Sequence, residues 1–385
     1  MKQTASFIST YSADVFGVCS ALFELGGMVI MHDASGCNST YSTHDEPRWY
    51  DMESMVYISG LSEMEAIMGD DEKLISDVVR DAKMLNPNFI AVAGTPIPAM
   101  TGFDFEAAAS VIEARTGIPS FGFATAGMET YIKGAGMALE AVVRRFAKRD
   151  IKRTERLSCN ILGLTPLDFS INGEDKSVAE RLRSSGFEPN VPLAMGCRFE
   201  ELQRLGAAHV NLVVSAAGIP AARALESIFG TPYVLGLPAA GEYSKRLISR
   251  LRSAANSGAS HEKQTLLGQD ACKTRGGIAV IGEGVRSLAL AEAIKLDTGK
   301  DACVVCAAED NAPYLRRCDI CAPDEDDIIE AISSADTVIA DPLFKPIVPA
   351  EKRFIPLPHE AFSGRIFRKD IPDLVKDLGA VIKLL

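Results

Sequence analysis

Short apolar runs recur along the chain at 27–32, 89–94, 120–126, 160–164, 209–215, 233–237, 278–282, 302–307 and 337–340. Most are rich in Val and Ile, lack polar alternation, and end on Gly, Pro or a small residue. Strands buried on both faces of a parallel sheet read this way, because neither face meets water. Between the runs, apolar positions recur at helical spacing over 106–115, 131–148, 177–185, 221–229, 287–295 and 326–334. The alternation predicts doubly wound α/β units. Ligands bind such units beyond the carboxyl ends of the strands. Gly94-Thr-Pro, Leu164-Thr-Pro, Ser215-Ala-Ala-Gly and Ile281-Gly-Glu-Gly stand there.

Two polar stretches, 148–156 and 253–276, each precede a new strand pattern. They divide the chain into three α/β domains: 1–150, 151–270 and 271–385. With 47% apolar and 24% charged residues in 385, each domain can bury a core. The net charge of −11 excludes nucleic acid and anionic membrane as partners, since both demand a basic face. The first residues lack the apolar stretch of a signal peptide, and no apolar run is long enough to span a bilayer. A cytoplasmic protein is expected.

In that compartment nine cysteines are not a disulfide framework, and buried structural thiols are the default. Cys19 and Cys37 depart from it. Cys19 falls in an apparently amphipathic helix, and Cys37 ends a tight Ser35-Gly36-Cys37 turn after a strand. Thiolates so placed can converge on one soft metal centre. A [4Fe–4S] cluster needs about four cysteines. Two from each subunit of a twofold dimer would supply them, with the cluster shared between the subunits.

Other candidates carry competing readings. On spacing alone, Cys303-Val-Val-Cys306 with Cys318-Asp-Ile-Cys321 suggests zinc or iron–sulfur. Both pairs sit in strand patterns, however, where residues three apart face opposite ways, so core thiols are expected. Cys197, before a helix start, is either an incidental loop residue or an additional metal ligand, since helix N-termini lower thiol pKa. His359, at a strand end, is either a structural histidine or a catalytic proton donor or axial ligand. Ser215 and Asn211 could line the same cleft. The 44–50 loop gathers His44, Arg48 and the only Trp, and is expected to be solvated.

The N-terminal pattern resembles the component 1 family of nitrogenase-like oxidoreductases. That family includes nitrogenase catalytic subunits, cofactor-assembly scaffolds and tetrapyrrole reductases. Its pattern is a helix Cys, a strand, then His-Gly-Pro-x-Gly-Cys; here the turn reads His32-Asp-Ala-Ser-Gly-Cys37. The stretches 64–74, 200–214 and 225–232 resemble later family segments. The resemblance implies three Rossmann-like domains, each a mostly parallel sheet flanked by helices. It implies a homodimer, or a heterodimer with a sister subunit, and a [4Fe–4S] cluster on Cys19 and Cys37. It also implies a nitrogenase-reductase-like ATPase iron–sulfur partner, because this chain has no Gly-x-x-x-x-Gly-Lys-Ser/Thr phosphate loop. Thr95 stands where many members carry a third cluster cysteine. Ser215 stands where the molybdenum-cofactor cysteine would be, and His359 echoes that cofactor's histidine one residue short. A nitrogenase-type molybdenum cofactor and dinitrogen reduction are therefore not implied. A second cofactor in the cleft, and the substrate, stay open. So do two alternatives: a metallocluster scaffold without turnover, and a metal-free binding protein.

Overall fold

The computed structural model describes residues 5–34, 36, 38, 41, 45–262, 265–270, 272 and 277–385. Its strands form three parallel sheets. The first comprises β1 (Met28–His32), β2 (Met55–Ile58), β3 (Ile90–Gly94) and β4 (Ser120–Phe123), in the order β2-β1-β3-β4. The second comprises β5 (Ser158–Leu164), β6 (Glu188–Ala194), β7 (Val210–Val213) and β8 (Tyr233–Leu235), in the order β6-β5-β7-β8. The third comprises β9 (Gly277–Gly282), β10 (Ala302–Cys306), β11 (Ile320–Cys321), β12 (Ala335–Ala340) and β13 (Arg353–Pro356), in the order β11-β10-β9-β12-β13. The sequence pattern predicts this three-sheet α/β architecture.

The central strands β1, β3, β5 and β10 are buried along their whole length, which is why they read as unbroken apolar runs. In each sheet the chain's direction of progress reverses between two neighbours: β1 and β3, β5 and β7, β9 and β12. The carboxyl ends of those pairs are switch points, where an open α/β sheet leaves a crevice.

The helix Asp14–Leu22 departs from expectation. It is buried on nearly every side rather than amphipathic. It crosses the helix Tyr131–Phe146 at contact distance, and glycines make the crossing fit. A Cβ on Gly17 would lie 2.0 Å from the Tyr131 carbonyl oxygen, and one on Gly134 1.8 Å from that of Asp14.

Two segments cross between sheets. Near the N-terminus, the Thr10 and Tyr11 N–H groups bond the carbonyls of Phe362 and Ala361. The last helix, Leu374–Lys383, packs on the helix Glu174–Ser184 of the middle sheet. There the Leu374 N–H donates to Glu174 at 3.0 Å, and Ser177 donates to Asp373. One apolar core runs through elements of all three sheets. No helix is long and apolar enough to cross a membrane among the described residues.

Candidate functional site

Cys19 lies on the buried helix Asp14–Leu22, with no solvent exposure. Burial raises its thiol well above the ordinary value, and the charge of Glu46 adds to this. Tyr41 is close enough to interact electrostatically with it. Cys37 and His44 lie outside the described residues. Described residues nearby are tied together by hydrogen bonds. Asp33 follows β1, and its carboxylate accepts from Asn38 Nδ2 at 2.7 Å and from Thr95 Oγ1 at 3.0 Å. Thr95 also donates to the His32 carbonyl at 2.8 Å. These bonds tie β1 to β3 at the first switch point. Among the described residues, a Cβ on Gly36 would meet no atom within 4 Å.

Arg48 corrects the picture of a solvated 44–50 loop. It is buried, bonding Glu46 at 2.6 Å, Glu24 at 2.9 Å and the Ser20 carbonyl at 2.8 Å. Glu46 and Arg48 are thereby pinned to the Cys19 helix.

The second and third switch points meet one another, and the helix Tyr131–Phe146 reaches in between. Asp168 follows β5 and is fully buried. Its Oδ1 accepts from Tyr131 Oη at 2.6 Å, and its Oδ2 from Ser215 Oγ at 2.5 Å. His359, after β13, places Nε2 3.3 Å from Asp168 Oδ1. Its Nδ1 accepts from the Ala361 N–H at 3.3 Å, which leaves Nε2 as the protonated nitrogen. That buried N–H makes no well-formed hydrogen bond. Asp341, at the end of β12, holds the His359 backbone N–H at 2.6 Å.

Glu283, after β9, faces the same junction. Its Oε1 accepts from the Ala216 N–H at 2.8 Å, joining the second sheet to the third. A cavity of about 30 Å³ lies between Glu283, Arg286 and His359. A space of that size holds roughly one or two waters.

Burial alone would raise the Asp168 carboxyl. Its interactions with His359, then with Ser215 and Tyr131, outweigh this and hold it below the ordinary carboxylate value. Burial, with the charges of Asp168 and Glu309, pushes Glu283 up to about 8, against the N–H groups of Arg286 and Ala216. The two buried carboxyls are thus shifted in opposite directions, which is how one environment separates an acid role from a base role.

Residues 14–333 match the sequence profile of the family described as nitrogenase component 1 type oxidoreductase. The chain belongs to that family. The B subunit of light-independent protochlorophyllide reductase from Synechococcus sp. (strain JA-3-3Ab) is 35% identical over 106 residues, 27% of this chain and 21% of that protein. The nitrogenase iron-molybdenum cofactor biosynthesis protein NifE of Klebsiella pneumoniae is 28% identical over 193 residues, 47% of this chain and 41% of NifE. These matches span about a fifth to two fifths of the relatives' lengths. The fold is similar to the solved structure of nitrogenase Cp1 at pH 6.5, with a TM-score of 0.63 at 15% identity. That likeness covers 100% of this chain and 90% of the nitrogenase chain.

In this member of the family, the candidate residues separate into two places. Cys19 and the residues flanking Cys37 belong to the first sheet. His359 belongs to the three-way junction, as does Ser215. Asn211 does not: it bonds Asn160 within the second sheet. Cys197 is buried in the loop after β6, with its thiol pushed up to about 12 by burial and by the charges of Glu201 and Glu24. Cys303 and Cys306 alternate along β10 as a strand requires. Cys303 meets Cys272 and Cys318, while Cys306 meets Cys321 and Glu309.

Three junction residues do not emerge from the sequence reading: Asp168, Glu283 and Tyr131. Tyr131 opens a helix read as purely structural. The signal available for Asp168 and Glu283 was position, since each stands just past a strand end at a switch point.

Proposed function

We propose that this chain is a redox subunit that holds a [4Fe–4S] cluster with Cys19 and Cys37, one cluster being shared across the twofold axis of a homodimer. The observation that carries the reading is the family pattern itself, a helix cysteine followed by a strand-end cysteine, in a chain that belongs to the family from 14 to 333. The surroundings fit such a group. Cys19 is a shielded soft donor, and no described residue crowds the Cβ side of Gly36. Cluster binding would deprotonate Cys19, because the thiolate is the ligand. When bound, the cluster supplies low-potential electrons, received from a nitrogenase-reductase-like ATPase. A heterodimer with a sister subunit would satisfy the same ligand count.

An exposed apolar face adjoins this end of the sheet. The short helices Glu63–Met68 and Pro96–Thr101 pack together and expose Met64, Ile67, Met68, Ile97 and Met100. Patches of this kind mark interaction sites. A second copy of the chain is the occupant that completes the ligand set.

At the junction, the chain's own groups hold and move protons. Asp168 stays ionised and orients the His359 Nε2 proton, while Glu283 holds a proton across the cavity. The packed junction leaves room only for water.

The test is iron and acid-labile sulfide per chain in protein purified without oxygen, beside the Cys37→Ser variant. About two irons per chain in a dimer, lost in the variant, is the expected result. No iron in either protein, with the dimer intact, would overturn the redox reading and leave a metal-free binding protein.

The NifE match, which covers more of the chain than the reductase match, favours a second reading: a metallocluster scaffold or carrier without turnover. Release of the cluster to an acceptor protein, without substrate reduction when the ATPase partner is supplied, would select it.

A further inference from the structure

The two Cys-x-x-Cys pairs are separated by fifteen residues, and the parallel register of β10 and β11 also advances by fifteen, with Cys306 beside Cys321. The second pair is therefore laid alongside the first. Alternation along β10 turns Cys303 and Cys306 to opposite faces. Cys318, in the turn that leads into β11, comes to the Cys303 side, while Cys321 meets Cys306. On the first face a third thiol arrives from a distant part of the chain. Cys272 Sγ lies 3.2 Å from Cys303 Sγ, and the sulfurs of Cys272, Cys303 and Cys318 all fall within 4.8 Å of one another.

We propose that Cys272, Cys303 and Cys318 form a binding site for a single thiophilic d10 metal ion, zinc(II), separate from the cluster cysteines. The spacing selects one ion over a cluster. Sulfurs on tetrahedral zinc are about 3.8 Å apart, the edge of a tetrahedron with bonds of about 2.3 Å. Each thiolate of a four-iron cluster binds its own iron, and its sulfurs spread wider than that.

Each sulfur is positioned by rigid surroundings. Cys303 is fixed by β10. Cys318 lies in a turn clamped by the buried Arg316–Asp319 pair, with Nη2 2.9 Å from Oδ1. Asp319 Oδ1 also accepts from the Val304 N–H at 2.8 Å, and Arg316 Nη2 donates to the Ala302 carbonyl at 2.7 Å. The turn is thus bolted to β10 on both sides of Cys303. Just before Cys272 in the chain, Gln269 and Asp270 are held by Arg317, through its N–H to the Gln269 carbonyl at 3.4 Å and an ion pair with Asp270 at 3.0 Å. Cys272 and Cys303 are buried, while Cys318 is part exposed and gives the ion a route in. Three thiolates leave the fourth position for water or a small exogenous ligand. Binding displaces the thiol protons, up to three per ion. The site staples the segment before β9 to the sheet that follows it.

The test uses the full chain in its Cys37→Ser form, so that no cluster absorbs. Reduced protein, freed of metal with a chelator under anaerobic conditions, is titrated with Co²⁺ and then with Zn²⁺. The expected result is one Co²⁺ per chain with an intense thiolate-to-cobalt charge-transfer band, displaced by one Zn²⁺. Adding Cys303→Ser, or Cys318→Ser should the former misfold, should weaken binding at least tenfold. Absence of the band in the parent, or its survival in a variant with a native circular-dichroism spectrum, would overturn the proposal. Stoichiometric Cu⁺ binding with no Zn²⁺ binding would keep the three-thiol site and overturn the assignment to zinc.

Discussion

His359 Nε2 and Asp168 Oδ1 stand 3.3 Å apart although their residues belong to different sheets and lie nearly two hundred positions apart. The pair closes the junction of the second and third sheets. Tyr131 and Ser215 complete it, so side chains from all three parts of the chain converge on Asp168.

Replacing Asp168 by Asn should therefore be costly. It removes the buried charge on which a histidine and two hydroxyls are oriented. The expected loss is about 2–4 kcal/mol, in the range for breaking a buried polar network. Urea unfolding checks it. His359→Gln should cost less stability, keep the iron content and lower substrate reduction at least tenfold. Unchanged turnover would assign His359 a structural role.

The crossing of Asp14–Leu22 over Tyr131–Phe146 gives a second prediction. Gly17→Ala or Gly134→Ala would drive a methyl into a carbonyl oxygen, and the buried helices must separate. A loss of about 3 kcal/mol or more is expected. Gly379→Ala is the contrast. It lies in the helix Leu374–Lys383 with nothing within 4 Å of the added carbon, and should stabilise by about 0.5–1 kcal/mol. Thermal and urea unfolding of the variants would compare them directly.

His32 supplies a pH dependence. Burial lowers its pKa from 6.5 to about 4, against the raising effect of Asp33 and Glu65. The folded protein keeps the ring neutral while the unfolded chain takes up a proton, so the unfolded state binds more protons between those values. Stability from this group is fully present above about pH 6.5 and falls as the pH drops toward 4. The size is on the order of 2 kcal/mol after solvent screening. His32→Gln keeps a neutral polar ring-sized group facing Ser59, and should flatten the difference in stability between pH 7 and pH 4.5. An unchanged difference would mean another group controls it.

The fold was legible because its central strands are buried on both faces and its helices fill the intervals. What escaped were two of the edge strands, β2 and β6. β6 carries two prolines in Glu-Pro-Asn-Val-Pro-Leu-Ala, and β2 alternates in burial, so neither reads as a buried run. The helix of Cys19 looked amphipathic because its small and polar residues, Gly17 and Ser20 among them, are buried for close packing rather than exposed. The cysteine at a strand end and His359 were visible as residue types out of place in a core. Asp168, Glu283 and the Cys272–Cys303–Cys318 group were not, because they are made by contacts between segments far apart in sequence. The strand alternation that correctly separates Cys303 from Cys306 says nothing of Cys272, which joins from outside the repeat.

Thr95 gives the last prediction, because it occupies the place of a cluster cysteine in many relatives by resemblance. Its hydroxyl is already committed inward, to the His32 carbonyl at 2.8 Å and to Asp33 at 3.0 Å. A hydroxyl so used ties two strands together, and a neutral hydroxyl oxygen is in any case a poor ligand for iron. Thr95→Val should leave a carbonyl and a carboxylate short of a donor and cost about 1–3 kcal/mol. Thr95→Ser should restore most of that. Iron per chain should be the same in all three proteins, measured on anaerobically purified samples. If Thr95→Val lost iron while Thr95→Ser kept it, and both unfolded at the same urea concentration as the parent, the hydroxyl would be an oxygen ligand and the strand-tying role would fall.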